Sequence, residues 1–172
     1  MFNLKMGTTI FLESDDFQLS KIGDNIVLTT EIQGLSLLMF YSPKCSYSSQ
    51  LLPKFKKLGN SINNCIFGII NVSNNKRVIL MSDRSATPIQ HVPYIVLYLN
   101  GQPYMIYNGS HTEQDLRNFV IEIANKLSKN EREKFSSENN SRTKPDYSYG
   151  VPLWGKLGSS YFTDTKAYTN IK

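Results

Sequence analysis

The sequence has few of the residues that cross-link small extracellular proteins or bind metal ions. Only two cysteines and two histidines occur among its 172 residues. Two cysteines cannot build a disulfide framework, and they have no zinc-ligand spacing with the histidines. We therefore expect reduced thiols, no bound metal and no cofactor.

Long hydrophobic runs are also missing. The longest, Leu35–Tyr41, is interrupted by Ser36 and is far shorter than the roughly 20 residues that span a bilayer. No unbroken apolar segment precedes the acidic residues 13–16, so a cleaved secretory signal is not expected. The sequence predicts an intracellular, cytoplasmic protein without a transmembrane segment.

The net positive charge is small in the first part of the chain. Residues 1–125 carry ten Lys/Arg against nine Asp/Glu, whereas residues 126–172 carry nine against five. Most of the net charge of +5 therefore belongs to the C-terminal segment. Such a segment is either a solvated tail or a contact for an anionic partner. We do not expect nucleic-acid binding, because no Arg-rich run or known module accompanies the charge.

Apolar runs of strand length alternate with helical patterns, which indicates an α/β fold with a central mixed sheet flanked by helices. The strand-like runs are residues 25–28, 35–41, 65–72, 94–99 and 104–107. The dipeptide Asn100-Gly101 predicts a hairpin turn between the last two. From residue 35 the predicted order is strand, helix, strand, helix, strand, strand, helix.

Three helices are expected between these strands. The first and last show apolar residues at helical spacing, and the middle one is expected to begin within residues 77–81. Gly59 is interpreted as the stop of the first helix, and Ser110 with Glu113 as a capping box that starts the last. The apolar positions are Leu51, Leu52, Phe55 and Leu58, then Leu116, Phe119, Val120, Ile123 and Leu127.

The composition divides the chain into four parts. An N-terminal extension with a first strand (1–24) precedes the folded domain (25–128), a polar linker (129–146) and an irregular C-terminal extension (147–172). The last part is rich in aromatic residues, among them Tyr149 and Trp154. Aromatic density of this kind is typical of a segment that docks on its own domain or on a partner.

Residues 40–48 read FYSPKCSYS, which resembles the F-Y-A-P-W-C-G-H-C active-site pattern of protein disulfide isomerase domains in the thioredoxin superfamily. The resemblance covers about residues 25–127 and implies a thioredoxin-like fold. Pro53 lies eight residues after Cys45, where thioredoxins have a proline in the active-site helix. Val92-Pro93 precedes YIVLYLNG, as the family's cis-proline precedes its central hairpin.

The resemblance places Cys45 at the first turn of a helix. The helix dipole and the adjacent Lys44 both favour the thiolate there. Pro93 would belong to a cis-proline loop that faces an extended peptide, so Lys44, Tyr47 and Val92 are candidate partner-binding residues. His91 is interpreted either as a base or cation beside the sulfur or as an ordinary loop histidine.

The departures from the family pattern point away from dithiol chemistry. Ser48 occupies the position of the second, resolving cysteine, and a hydroxyl cannot resolve a mixed disulfide. The family's buried carboxylate, six residues before the first cysteine, is replaced by Met39, and its partner lysine by Ile69. The positions of the family's proton-transfer pair, Met39 and Ile69, are thus predicted to belong to the hydrophobic core.

Two further features are expected to be structural or only weakly selective. Cys65 is interpreted as a small core residue that lies too far from Cys45 to resolve it. Lys54, Lys56 and Lys57, with Lys44, give the first helix a positive face, which is either solvated or selective for an acidic partner.

Three functions remain open from the sequence. The first is a thioredoxin-fold binding or structural module. The second is a monothiol exchange protein or chaperone that forms mixed disulfides with clients or glutathione through Cys45. The third is a component of a larger assembly, because the chain also resembles thioredoxin-like proteins of large DNA viruses, some of which are packaged in the virion. In every case the expected contacts are the Cys45 and Pro93 region and the C-terminal tail.

Overall fold

A computed structural model describes residues 9–127 and the backbone of residues 150–152. The elements in chain order are β1 (Thr9–Leu12), a 3₁₀ turn (Ser14–Asp16), β2 (Phe17–Ile22), β3 (Asn25–Thr30), β4 (Leu35–Tyr41), α1 (Ser46–Ser61), β5 (Ile66–Asn71), α2 (Lys76–Asp83), β6 (Tyr94–Leu99), β7 (Gln102–Tyr107), α3 (Glu113–Lys126) and β8 (Gly150–Pro152). Six of the strands form a mixed sheet in the order β1-β5-β4-β6-β7-β8, and β2 pairs with β3 in a separate two-stranded sheet.

The centre of the sheet consists of the two most apolar strands. All of β6 and all of β4 except Tyr41 are buried, as expected for strands covered on both faces. β4 runs parallel to β5 and antiparallel to β6. The predicted fold class and the predicted order of elements from residue 35 are confirmed.

Alternate residues of β4 point into two separate cores. Leu37 and Met39 belong to a core beneath α1 and α3, whereas Leu38 and Phe40 belong to a core beneath α2 and the β2–β3 hairpin. The period-2 alternation of strand side chains produces this division. The predicted apolar positions of α1 and α3 all lie in or against the first core.

The hairpin between β6 and β7 turns at Asn100 and Gly101, with φ angles of 50° and 80°. Positive φ at both turn residues is the geometry that favours Asn-Gly. The Gly101 carbonyl also accepts a hydrogen bond from the Thr30 N–H at 2.9 Å, which ties β3 to the hairpin.

The prediction that Gly59 ends α1 is wrong. The helix continues to Ser61, and Gly59 is buried within it. A Cβ at Gly59 would overlap the Thr9 hydroxyl and lie 3.0 Å from the Phe67 Cβ. Glycine is needed there because β1 and β5 approach the helix backbone closely.

The capping box predicted for α3 is also wrong. The helix begins after Thr112, whose hydroxyl accepts a hydrogen bond from the Asp115 N–H at 3.2 Å. The Ser110 hydroxyl donates instead to the Asp115 carboxylate. Thr112 therefore caps the helix two residues later than predicted.

The edges of the large sheet come from the two ends of the described chain. β1 pairs in parallel with β5, and the backbone of β8 pairs antiparallel to β7 between Met105 and Tyr107. Residues 150–152, within the expected C-terminal extension, thus contribute a strand to the domain. The other boundaries given for the linker and the tail stay predictions.

Candidate functional site

Cys45 lies at the junction of β4 and α1 and is the N-cap residue of that helix. Its side chain is 2% exposed, and its thiol donates a hydrogen bond to the Val92 carbonyl at 3.5 Å. The first turn of α1 contains no acidic residue. The sulfur therefore sits at the positive end of a helix dipole but is closed off from solvent.

The loop opposite the sulfur contains a cis peptide bond between Val92 and Pro93. Val92 is fully buried, and its carbonyl is the acceptor for the Cys45 thiol. The structure thus brings Cys45 together with the Val92-Pro93 loop, which lies 47 residues later in the sequence, as the family pattern implies. We call this region, with Lys44, Tyr47 and His91, the Cys45–Pro93 face.

Two candidate binding residues flank the sulfur on the outside of this face. Lys44 is exposed, and its backbone N–H donates to the Ser42 hydroxyl at 3.3 Å. Tyr47 is 53% exposed, which is unusual for a large aromatic residue. Both side chains are accessible to a partner, whereas the Cys45 side chain is buried.

Ser48 lies one helical turn after Cys45, at the position of the missing resolving cysteine. It is completely buried, and its hydroxyl has no hydrogen-bond partner. A buried hydroxyl without a partner is uncommon in folded proteins and costs stability.

The expected loss of the buried charge pair is visible in the sheet. Met39 and Ile69 are register partners across β4 and β5, and both are at most 1% exposed in the core under α1. An apolar contact therefore fills the position where the family pattern has a carboxylate and a lysine. In this pair no side chain can accept a proton from the site.

Cys65 lies just before β5 and is 4% exposed. It belongs to the core beneath α1 and α3, whereas Cys45 belongs to the core on the other side of the sheet. The sheet thus separates the two thiols, so Cys65 cannot act as a resolving thiol for Cys45. Its interpretation as a core residue agrees with this burial.

His91 is half-buried, and its ring meets the Tyr94 ring edge-on at a centroid distance of 5.5 Å. Burial lowers the pKa of His91. A hydrogen bond to the Pro93 backbone opposes this shift, and the charge of His111 adds to it. His111 is the second of the two histidines in the sequence.

Sequence reasoning did not single out His111. It lies in the loop before α3, and burial lowers its pKa, with a further lowering from the charge of Lys54 on α1. The scarcity of histidine was the one available hint.

The remaining candidate residues, Tyr149 and Trp154, lie outside the described residues. Within the part that is described, no group of three metal-ligating side chains occurs. Across the same residues, no helix is long and apolar enough to cross a membrane.

The fold and the Cys45–Pro93 arrangement define a class of protein. The thioredoxin family model matches residues 24–122, and the chain belongs to this family. It is 36% identical over 126 residues to protein 196R of Invertebrate iridescent virus 6, which covers 69% of this chain and 72% of that protein. It is 29% identical over 171 residues to protein 020R of Invertebrate iridescent virus 3, covering 98% and 100%. The expected similarity to thioredoxin-like proteins of large DNA viruses is confirmed.

Two solved structures are similar to part of the chain. The first two thioredoxin domains of Naumovozyma dairenensis Eps1p match with a TM-score of 0.49 and 22% identity, over 61% of this chain and 46% of that chain. The zinc-bound form of human ERp44 matches with a TM-score of 0.46 and 18% identity, over 52% and 27%. The chain therefore spans less than half the length of either structure.

Proposed function

We propose that this protein is a thioredoxin-fold binding module that holds a protein segment on its Cys45–Pro93 face without dithiol turnover. The observation that carries the proposal is the burial of the Cys45 sulfur. Cys45 is 2% exposed, and its thiol donates a hydrogen bond to the Val92 carbonyl. A nucleophilic thiolate needs access to a disulfide, and this buried sulfur has no access to one.

The surroundings of the sulfur support the same conclusion. Ser48 cannot resolve a mixed disulfide, and Met39 and Ile69 cannot relay a proton. Lys44 and Tyr47, in contrast, remain exposed beside the loop. The proposal is thus supported by an exposed surface beside the loop and by the replacement of the family's resolving cysteine and charge pair. Such a module suits a component of a larger assembly, including a virion, in which the aromatic C-terminal tail would provide a second contact.

A second candidate function is monothiol exchange, favoured by the position of Cys45 at the N-cap of α1. If the thiol lost its proton, the sulfur could accept hydrogen bonds from the first-turn N–H groups. The thiolate would attack one sulfur of a client or glutathione disulfide and release the other as a thiolate. An external thiol would then have to resolve the mixed disulfide.

Nuclear magnetic resonance with cysteine-free peptides separates the two functions. We expect random-sequence peptides without cysteine to shift the amide resonances of Lys44, Tyr47 and Val92. The shifts should be the same in wild type and in Cys45→Ser, with Cys65→Ser as the matched control. Capture only of disulfide-containing peptides, lost in Cys45→Ser alone, would contradict the binding module and favour exchange.

A further inference from the structure

A groove of about 370 Å³ lies between α2 and β2, and we call it the α2–β2 groove. Its floor is apolar, with Phe17 and Leu19 from β2 and Leu80 and Met81 from α2. Leu80 is 65% exposed, so a large apolar side chain of the groove is open to solvent. A concave surface with an exposed apolar floor is typical of a binding site.

Two arginines line the same groove from the side of α2. Arg77 and Arg84 are separated by two helical turns, so they lie on one face of the helix, roughly 10 Å apart along its axis. Arg77 donates through Nη1 to the Asp15 carboxylate at 2.8 Å, in an ion pair that is exposed and therefore weak. Among the described residues, Arg84 forms no salt bridge. The groove thus joins an apolar floor to positive charge that a carboxylate from outside the chain can reach.

β2 contributes a strand edge to the groove. Among the described strands, β2 pairs with β3 alone. The Thr30 N–H on β3 donates to the Gly101 carbonyl and so points away from β2. Its register partner Phe17 therefore turns its carbonyl away from β3, and Leu19, two residues on, turns its N–H and carbonyl the same way. Backbone groups at such an edge can pair with an added strand.

We propose that the α2–β2 groove binds an extended acidic peptide segment, which adds a strand to the edge of β2. The inference goes beyond the proposed function, because the groove shares no residue with the Cys45–Pro93 face. The segment would pair its backbone with Leu19 and cover Leu80 with one apolar side chain. Carboxylates two residues before and after that side chain would point to the same face. In an extended chain they lie about 13 Å apart, a span that the long side chains of Arg77 and Arg84 can match.

The charge of the groove favours a partner protein over two occupants from this chain. A second copy that added its own β2 would bring the exposed Lys21 toward the two arginines. The C-terminal residues 126–172 carry nine Lys/Arg against five Asp/Glu, so that segment is also positive. Like charges oppose both associations, whereas an acidic segment of another protein complements the groove.

Fluorescence polarisation with two matched peptides tests the charge selectivity. The labelled probes are Glu-Ser-Val-Ser-Glu and Gln-Ser-Val-Ser-Gln, each with blocked ends. We expect the Glu peptide to bind at least about threefold more tightly in low salt, as two exposed ion pairs allow. The preference should disappear in about 1 M NaCl, where exposed charges are screened.

Methylated versions of the Glu peptide test the strand addition. In an extended chain the N–H groups of successive residues point to opposite edges. An N-methyl group on the central valine and one on the serine that follows it therefore block different edges of the peptide. We expect one of the two to weaken binding at least about fivefold and the other to leave it nearly unchanged. Hydrogen exchange of the Leu19 amide should slow when the unmethylated peptide binds.

Variants at exposed positions assign the binding to the groove without disturbing the core. Arg84→Gln should remove most of the preference for the Glu peptide, whereas Arg117→Gln on α3 should leave it unchanged. Leu80→Asn should weaken the binding of both peptides. Ile121→Asn is its matched control, because Ile121 is also an exposed apolar residue of a helix, and it should bind like wild type. Circular dichroism confirms that each variant is folded.

Several results would overturn the inference. Absent binding, or equal binding of the Glu and Gln peptides in low salt, would remove its basis, as would equal binding of the two methylated peptides. Decanoate that displaced the Glu peptide at lower concentration than the unlabelled peptide does would identify a site for apolar acids. A dimer in analytical ultracentrifugation that Leu80→Asn dissociates would assign the groove to a second copy. The amide shifts of Lys44, Tyr47 and Val92 test the proposed function separately, so either proposal can fail alone.

Discussion

Replacement of Ser48 by alanine should stabilise the protein, although most substitutions at fully buried positions do the opposite. The Ser48 hydroxyl is completely buried without a hydrogen-bond partner. Burying such a hydroxyl costs about 1–3 kcal/mol in proteins. Alanine removes that cost and is the better helix former.

The gain is partly offset by the space that the oxygen leaves. Loss of one buried atom costs roughly 0.5–1 kcal/mol in packing. We therefore expect Ser48→Ala to raise the free energy of unfolding by about 1 kcal/mol, or Tm by about 3 °C for a chain of this size. Urea unfolding followed by circular dichroism should show a higher midpoint with an unchanged slope.

Ser82 is a matched control because it is equally buried in a helix but fully paired. Its hydroxyl donates to the Ile79 carbonyl at 2.9 Å and accepts from the Ile89 N–H at 3.1 Å. Ser82→Ala would leave a buried N–H without a partner and should lower the free energy of unfolding by about 1–3 kcal/mol. If Ser48→Ala destabilised the protein as much as Ser82→Ala, the Ser48 hydroxyl would have a partner, and the reasoning would be refuted.

Two further substitutions test the core and the hairpin. Met39→Asp should lower the free energy of unfolding at pH 7 by about 3–5 kcal/mol, because the carboxylate would face apolar Ile69 without a partner. A smaller loss, measured by urea unfolding, would mean that the site still offers a compensating charge. Gly101→Ala should destabilise the protein by at least about 1–2 kcal/mol, since the φ angle of Gly101 is 80° and a Cβ would overlap the Thr30 carbonyl oxygen. An unchanged Tm would show that β3 does not pack against the β6–β7 hairpin as described.

The parts of the fold that sequence predicted are those with a strong local signal. Continuous apolar runs marked β4 and β6, and the Asn100-Gly101 pair marked the turn between β6 and β7. The helices α1 and α3 showed clear apolar stripes. In each case the residues that form the element also carry its pattern.

The parts that sequence missed depend on contacts from elsewhere in the chain. β2 is buried mainly at its two ends, Phe17 and Ile22, so it shows no alternation of period two. β8 has three residues, one of them proline, and exists as a strand because β7 offers an edge. Gly59 resembled a helix stop because its packing against β1 could not be read locally.

The candidate site divides in the same way. The motif around Cys45 predicted that Cys45, Ser48 and the cis-proline loop belong to one site, because the family pattern fixes their places in the sequence. It did not predict that the Cys45 thiol would be hydrogen-bonded to the Val92 carbonyl. It also did not predict that the charge of His111 would contribute to lowering the pKa of His91.

Alkylation of the native protein tests most directly whether the Cys45 sulfur is shielded from solvent and from disulfides. A Cys65→Ala variant leaves one thiol, and mass spectrometry follows its reaction with iodoacetamide at neutral pH in buffer and in urea. Because Cys45 is 2% exposed and its thiol is hydrogen-bonded to the Val92 carbonyl, we expect alkylation of the native protein to be at least about a hundredfold slower than alkylation in urea, limited by local opening. A native rate equal to or faster than that of the unfolded chain would contradict the account and identify Cys45 as a working nucleophile.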